Sequence, residues 1–269
     1  MSEPPALRIA LLTLESTASA EAAARVLRGT RHDVVFLGLS DAYRDSAATT
    51  RRHLARSGPR ILPWMFVEFA APRLWRGDGV GPLGAAAFAR GVPATTVASV
   101  NSAATQGMLA ALRPDLIVTC HFDQILAAET IATARLGGIN LHPSLLPLHR
   151  GPMPCFWAAA DGNNEFGVTV HRLAPRIDAG AILAQRAIAP PAGASVSGAA
   201  RALHLEGAAL LLQVIEDIAA GRDRGVEAPV LPYRGFPTPG DLAKAAKRGV
   251  RLSGWGDFRA ARRLGGAVL

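Results

Sequence analysis

The sequence has few of the features that mark secreted, membrane-spanning or zinc-binding proteins. It contains 2 cysteines, Cys120 and Cys155, and they do not form a CxxC pair, so we expect neither a disulfide framework nor a structural zinc site. No apolar run reaches the roughly eighteen residues that a membrane-spanning helix needs, so no membrane contact is predicted. The first residues carry no basic segment ahead of an apolar core, which predicts a cytoplasmic protein without a signal peptide.

A glycine-rich nucleotide-binding loop is also missing. Residues 7–14 read as a buried strand, and the loop that follows, residues 15–19, contains no glycine. Because the GxGxxG fingerprint requires glycines directly after the first strand, we predict neither NAD nor FAD. We also expect no metal. The formal net charge of +8 is compatible with an anionic ligand. The arginines are scattered, however, and only residues 244–263 concentrate them, so the charge does not identify a nucleic acid as the ligand.

Strand and helix patterns alternate along most of the chain. Residues 7–14, 33–39 and 115–120 are continuous apolar runs of strand length, as buried parallel strands are, and an alanine-rich helix at 20–28 separates the first two. Residues 167–173 and 180–188 predict an antiparallel pair, and 196–220 a long helix capped by Ser195. We therefore predict an α/β fold that is Rossmann-like, with a mostly parallel central sheet flanked by helices.

The stretch from residue 137 to 178 has the strongest signs of chemistry. A short strand at 139–142 ends at Pro143, and its alternation points Asn140 and His142 to the same side at the carboxyl tip, where open α/β sheets bind ligands. An amide beside an imidazole suits an oxyanion donor next to a general acid or base. Either residue alone is more commonly structural, as is a turn aspartate such as Asp178. His121 and Asp123 follow another strand end and are weaker candidates.

Two segments carry a family resemblance. INLHPSLLPLHRGPMP at 139–154 and GVTVHRLAPRIDAGAILAQ at 167–185 together resemble the folate-dependent formyltransferases, a family that includes methionyl-tRNA, glycinamide ribonucleotide and nucleotide-sugar formyltransferases. The resemblance implies the formyltransferase version of the Rossmann-like fold, with 10-formyltetrahydrofolate as formyl donor and an amine as acceptor. It places the catalytic trio on Asn140, His142 and Asp178.

The resemblance also implies which loops contact the two substrates. Folate is expected against the loops that follow the strand at 115–120 and precede the catalytic aspartate, namely Phe122, Gln124, Ile125, Leu126, Leu173, Ala174 and Ile177. The loop after His142 is expected to contact the acceptor through Ser144, Leu145, Leu146, Pro147, Arg150 and Gly151, with Arg150 suited to an anionic group.

Departures from the family pattern bear on the acceptor. Only a short, proline-rich segment follows Gly221, so initiator tRNA is not expected, and Glu15 stands where the glycinamide ribonucleotide enzymes have a phosphate-binding glycine loop. A small-molecule amine is the favoured acceptor, and residues 61–84 match no branch of the family. The alternatives are a 10-formyltetrahydrofolate hydrolase and a non-catalytic folate-binding protein. We expect a catalytic domain at 1–221 and an irregular basic extension at 222–269, which either docks on the domain or forms a homodimer contact.

Overall fold

The computed structural model describes residues 5–40, 46–76, 81–162 and 165–266. Its centre is a seven-stranded sheet with the order β3-β2-β1-β4-β5-β6-β7. Strands β1 to β5 pair in parallel, whereas β6 is antiparallel to both β5 and β7. The strands are β1 (Arg8–Leu14), β2 (Asp33–Ser40), β3 (Ala94–Val97), β4 (Leu116–Cys120), β5 (Gly138–His142), β6 (Gly167–Arg172) and β7 (Ile182–Ala187). The predicted mostly parallel α/β sheet is confirmed, including its antiparallel final pair.

Helices cover both faces of this sheet. The helices are α1 (Ala20–Gly29), α2 (Ser46–Ser57), α3 (Leu62–Met65), α4 (Ala71–Arg76), α5 (Pro82–Ala89), α6 (Ala103–Leu112), α7 (Ala128–Ile131), α8 (Pro154–Asp161), α9 (Val196–Ala219), α10 (Pro239–Lys247) and α11 (Trp255–Gly265). Between α3 and α4 the chain forms a π-helical segment, Phe66–Ala70. Among the described residues, none of the helices has the length and apolar character needed to cross a bilayer.

Alternation along the strands produces two separate cores. Ile9 and Leu11 of β1 face a large core that includes α1 and α9, while Ala10 and Leu12 face a smaller core with α6. Side chains of successive strand residues point to opposite faces, and continuous apolar strands such as β1 and β4 therefore fill both cores at once.

The segment after Gly221 is not wholly irregular. It contains the helices α10 and α11, and α11 packs against α4 and α9. Val226 pairs with Ile182 in an isolated bridge beside β7. The segment docks on the sheet domain, and a boundary near residue 221 stays a prediction.

Candidate active site

A cavity of about 370 Å³ opens at the carboxyl ends of β4 and β5, the edge at which open α/β sheets bind ligands. Asn140, His142 and Asp178 all line it, together with 4 of the chain's 7 histidines when His142 is counted: His121, His142, His171 and His204. Arg56 is the only arginine or lysine among the described residues that line it. The structure thus gathers the three catalytic candidates into a single cavity, whose lining also includes the carboxyl groups of Glu68 and Asp123.

Three neighbouring strands hold the Asn140 amide in one orientation. Asn140 is the register partner of Thr119 on β4 and of His171 on β6. Thr119 Oγ1 donates to Asn140 Oδ1 at 2.7 Å, and Asn140 Nδ2 lies 3.1 Å from His171 Nε2. His171 Nδ1 lies 2.8 Å from the Arg172 carbonyl oxygen, which only accepts, so Nδ1 carries the proton and Nε2 a lone pair.

This network leaves one amide hydrogen of Asn140 for a ligand. Burial lowers the pKa of His171 to about 4, so the ring is neutral near pH 7 and its Nε2 accepts from Asn140 Nδ2. An amide nitrogen has two hydrogens, and only one of them is used by His171. The second is available to a carbonyl oxygen in the cavity.

His142 and Asp178 face each other across the same cavity. His142 Nδ1 lies 3.6 Å from Asp178 Oδ1, and its Nε2 lies 3.3 Å from the His149 carbonyl oxygen. Asp178 Oδ1 is also 3.7 Å from His171 Nε2. The carbonyl of His149 accepts from Nε2, so Nδ1 is the nitrogen through which the imidazole exchanges a proton toward Asp178.

Arg150 and Gly151 fix the position of Asp178. The Arg150 side chain is 3% exposed and donates to the carbonyl oxygens of Ile177, Asp178 and Leu231, at 3.0 Å for Asp178. Gly151 N donates to Asp178 Oδ2 at 3.0 Å. A Cβ at Gly151 would lie 2.1 Å from the Arg234 carbonyl oxygen, so only glycine fits this close approach.

The residues predicted from the resemblance divide into two groups. All seven predicted folate contacts line the cavity: Phe122, Gln124, Ile125, Leu126, Leu173, Ala174 and Ile177. Of the predicted acceptor contacts, only Gly151 lines it. Ser144 donates instead to the Leu148 carbonyl oxygen, Leu146 is buried, and the guanidinium of Arg150 is engaged by backbone carbonyls. Ser144, Leu145, Leu146, Pro147 and Arg150 therefore build the wall behind the site.

The cavity has two ends on opposite faces of the sheet. The loop end consists of the seven predicted folate contacts, of which Phe122, Leu126 and Leu173 pack with the core beneath α6. The helix end lies on the α1 and α9 face and consists of Ala18, Trp64, Glu68, His121, Val196, Ala200 and His204. Sequence reasoning missed most of the helix end, because Glu68 and His204 lie in no motif. Tyr233 and Phe236 of the C-terminal segment also line the cavity.

Buried titratable groups dominate the helix end. Burial raises the pKa of Glu68 to about 7, and burial lowers the pKa of His121 to about 4 and that of His204 to about 3. Near neutral pH, both histidines are therefore neutral and Glu68 is close to its midpoint. Strongly perturbed groups in a cavity are typical of functional sites.

Comparison with known proteins agrees with this geometry. Residues 85–215 match the family model described as formyl transferase. Methionyl-tRNA formyltransferase from Roseiflexus castenholzii is 39% identical over 140 residues, which cover 52% of this chain and 45% of that protein. The chain therefore spans less than half the length of the curated relatives it matches.

Solved structures share the fold. Glycinamide ribonucleotide transformylase 1 from Symbiobacterium toebii superposes with a TM-score of 0.58 at 20% identity, over 82% of this chain and 95% of that one. A sugar 3N-formyl transferase, solved in the presence of dTDP and 5-N-formyl-THF, superposes with a TM-score of 0.56 at 13% identity, over 88% of this chain and 71% of that one.

These findings define the class that the chain resembles: residues 85–215 match the formyl transferase family model, and the fold is shared with solved formyltransferases. Several curated relatives, including the Roseiflexus castenholzii protein, are methionyl-tRNA formyltransferases. The expectation that tRNA is not an acceptor is therefore wrong. It rested on the short segment after Gly221, and the length of that segment does not exclude a tRNA acceptor.

Proposed function

We propose that this protein transfers the formyl group of 10-formyltetrahydrofolate to an amine. The observation that carries the proposal is the row Thr119, Asn140 and His171, which aims one amide hydrogen into a cavity shared with His142 and Asp178. That arrangement provides a fixed hydrogen-bond donor beside an imidazole and a carboxylate, which is what acyl transfer to an amine requires.

The loop end fits the formyl donor. A cavity of about 370 Å³ is within the usual size range of small-molecule sites, which are mostly apolar. Phe122, Leu126 and Leu173 supply apolar surface for a flat ring. The side chain of Gln124 bridges Val97 and Val100 through their backbone groups, so it shapes the loop rather than contacting folate. When bound, 10-formyltetrahydrofolate supplies an activated formyl group.

Each member of the trio has one task in this reaction. Asn140 Nδ2–H donates to the formyl oxygen as negative charge develops there during attack by the amine. His142 accepts a proton from the attacking amine through Nδ1 and returns it toward the departing folate nitrogen. Asp178, held by Arg150 and Gly151, orients the imidazole and stabilises its charged form.

Neither alternative from the sequence is favoured. The family members that the chain resembles are formyltransferases, with tRNA, ribonucleotide and sugar acceptors named among them. A hydrolase would use the same trio with water as acceptor, and a pure binding protein would not need it. The predicted cytoplasmic location and the absence of a metal requirement stay predictions.

Formation of tetrahydrofolate from 10-formyltetrahydrofolate, followed by absorbance, tests the proposal. Methionyl-tRNA, glycinamide ribonucleotide and an amino-sugar nucleotide are offered separately to the wild type and to His142→Ala. We expect turnover that depends on one of these amines and is lost in the variant. Equal turnover without an amine would indicate a hydrolase. Folate binding with no transfer to any acceptor would indicate a binding protein.

A further inference from the structure

The backbone amides of residues 17–20, which lead from the loop after β1 into the start of α1, all have partners within the protein. The amides of Ser19 and Ala20 donate to the Ser16 carbonyl oxygen, and that of Thr17 donates to the Glu68 carbonyl oxygen at 2.9 Å. The amide of Ala18 donates to Glu68 Oε2 at 2.9 Å. The start of a helix attracts anions because its first amides lack partners. Here the protein's own carboxyl group stands at that position.

Glu68 reaches this position from the π-helical segment. It is 2% exposed, and its second carboxyl oxygen accepts from Ser197 Oγ at the start of α9. A ligand phosphate at the same loop would meet both a carboxyl group and amides that are already engaged. The ionised form of Glu68 would repel such a phosphate, because like charges at short range are strongly unfavourable in a buried site.

His204 presents an unpartnered acceptor to the same end of the cavity. Its Nδ1 lies 2.7 Å from the Ala200 carbonyl oxygen, so Nδ1 carries the proton and Nε2 a lone pair. His204 is 2% exposed, and Nε2 has no hydrogen-bond partner within the described protein. A buried acceptor without a donor is unfavourable, and His204 lines the cavity, so a ligand donor fits there.

His121 repeats this pattern beside His204. The rings lie 5.2 Å apart between centroids. Ser19 Oγ donates to the Leu14 carbonyl oxygen and therefore accepts from His121 Nδ1, 2.9 Å away. His121 Nε2 is thus a second lone pair at the helix end. With both rings neutral, neither histidine offers a donor to an anion.

We propose that the helix end binds the part of the acceptor next to its reacting amine, and that this part carries hydroxyl or N–H donors and no phosphate, as in an amino sugar. His204 Nε2, His121 Nε2 and the Glu68 carboxylate accept from those donors. His204 and His142 line the same cavity, so this surface is part of the space that holds the reacting centre. This inference depends on the proposed formyl transfer at one point only, which is the identification of the bound ligand as the acceptor of the formyl group.

Three small probes separate the chemical contributions: D-glucosamine, cyclohexylamine and glucosamine 6-phosphate. Cyclohexylamine keeps a ring and an amine without hydroxyl groups, and the phosphate ester adds an anion. Binding is measured by titration, while imidazole ¹⁵N NMR follows His204 Nε2. Neither readout requires folate or turnover, so a failure here is distinguishable from a failure of formyl transfer.

We expect glucosamine to shift the His204 Nε2 signal and to bind about tenfold more tightly than cyclohexylamine, as expected for one buried hydrogen bond. The phosphate is expected to add no affinity. His204→Phe, which keeps a ring but loses the acceptor, should weaken glucosamine binding about tenfold. His204→Gln, which retains an acceptor, should restore most of it.

Several results would overturn the inference. The inference would be wrong if cyclohexylamine bound as tightly as glucosamine, or if no probe bound. It would also be wrong if the phosphate ester bound more tightly than glucosamine, or if His204→Phe left glucosamine binding unchanged. His32→Gln is the matched control, because His32 is also a buried histidine but lies at the amino end of β2, outside the cavity lining. Thermal unfolding of each variant identifies any loss of folding, and His204→Gln keeps the test valid if His204→Phe does not fold.

Discussion

The two ends of the cavity differ in origin and in chemistry. The loop end comes wholly from residues 122–177, inside the range that matches the family model, and it is mostly apolar. The helix end also uses Ala18, Trp64 and Glu68, which lie outside that range. It is lined by buried groups that titrate or accept hydrogen bonds.

Under the proposed function, this difference has a simple reason. A formyl donor common to the family would require a similar loop end, whereas acceptors that differ between relatives would require different surroundings on the other side. The trio lies between the two ends on β5 and on the loop after β6. Four substitutions or conditions test this division, in order of decreasing expected effect.

Removal of the Asn140 side chain tests the centre that both ends share. Asn140→Ala should lower turnover by roughly 10²–10³, the usual effect of losing one oxyanion donor. The KM values of both substrates should change little, because the donor acts mainly in the transition state. Steady-state kinetics measures the effect. Gln213→Ala removes an amide from the exposed face of α9 and should leave turnover unchanged. An equal loss in both variants would contradict the assignment.

Arg150 tests whether the wall behind the site positions Asp178. Arg150→Ala leaves the carbonyl oxygens of Ile177, Asp178 and Leu231 without their donor, so the free energy of unfolding should fall by about 3 kcal/mol. Turnover should fall as well, and Arg150→Lys should recover part of the stability because it restores a charge without the planar fork. Urea denaturation gives the stability. Arg248→Ala, which removes a donor to one exposed carbonyl, is the control, and a similar effect there would contradict the role.

Acid should destabilise the helix end through its histidines. The folded-state pKa of His204, about 3, lies below the unfolded value near 6.5. The unfolded chain therefore binds a proton between these values that the folded chain does not, and stability is lost as pH falls. At pH 5 the loss from His204 amounts to at most about 2 kcal/mol.

Variants of His204 and Glu68 separate the effect of the histidine on stability in acid from the effect of Glu68, which has the opposite sign. The folded pKa of Glu68 is raised, so its contribution to stability is lost as pH rises from about 4.5 to about 7. Thermal unfolding between pH 7.5 and 5 should show a shallower acid loss in His204→Gln than in the wild type, and a steeper one in Glu68→Gln. Parallel curves for all three proteins would contradict the pKa assignments.

Ile125 tests the loop end alone and should have the smallest effect. Its side chain is 56% exposed and lines the cavity, so covering it with folate is worth about 1 kcal/mol. Ile125→Ser should raise the KM for 10-formyltetrahydrofolate about fivefold and leave the KM for the acceptor unchanged. A change confined to the acceptor KM would reverse the assignment of the two ends.

The sequence was enough to predict the sheet, because the patterns that specify strands lie within short stretches of the chain. Apolar runs such as 115–120 are long enough to specify buried strands, and the turn at Asp178 separates β6 from β7. Residues 61–84 gave no such signal. Their described part contains α3, the π-helical segment and α4, which interrupt the regular helical period, and residues 77–80 lie outside the described residues. The position of Glu68 follows from tertiary contacts with Ala18 and Ser197 that no local pattern encodes.

The candidate site was predicted from two sources. The strand end at residues 139–142 indicates that Asn140 and His142 lie together, and the family resemblance adds Asp178; the structure places all three in one cavity, and their catalytic roles stay predictions. The sequence did not single out His171, because its contribution depends on its pairing with Asn140 on the neighbouring strand. Ser144 to Pro147 were expected to face the acceptor, but they do not line the cavity, and groups of Ser144 and Leu146 bond to Leu148 and Thr169 instead.

The π-helical segment makes the helix end of the cavity sensitive to a change in chain length. A π turn holds one residue more than the α turn it replaces, and each residue of an α-helix advances the chain by about 100° around the axis. Loss of a single codon between residues 66 and 70 would return the segment to a regular helix and rotate Glu68 away from the amides at the start of α1. A protein of this design could thus change between excluding and admitting an anionic group through one deletion, without altering the strands that carry the chemistry.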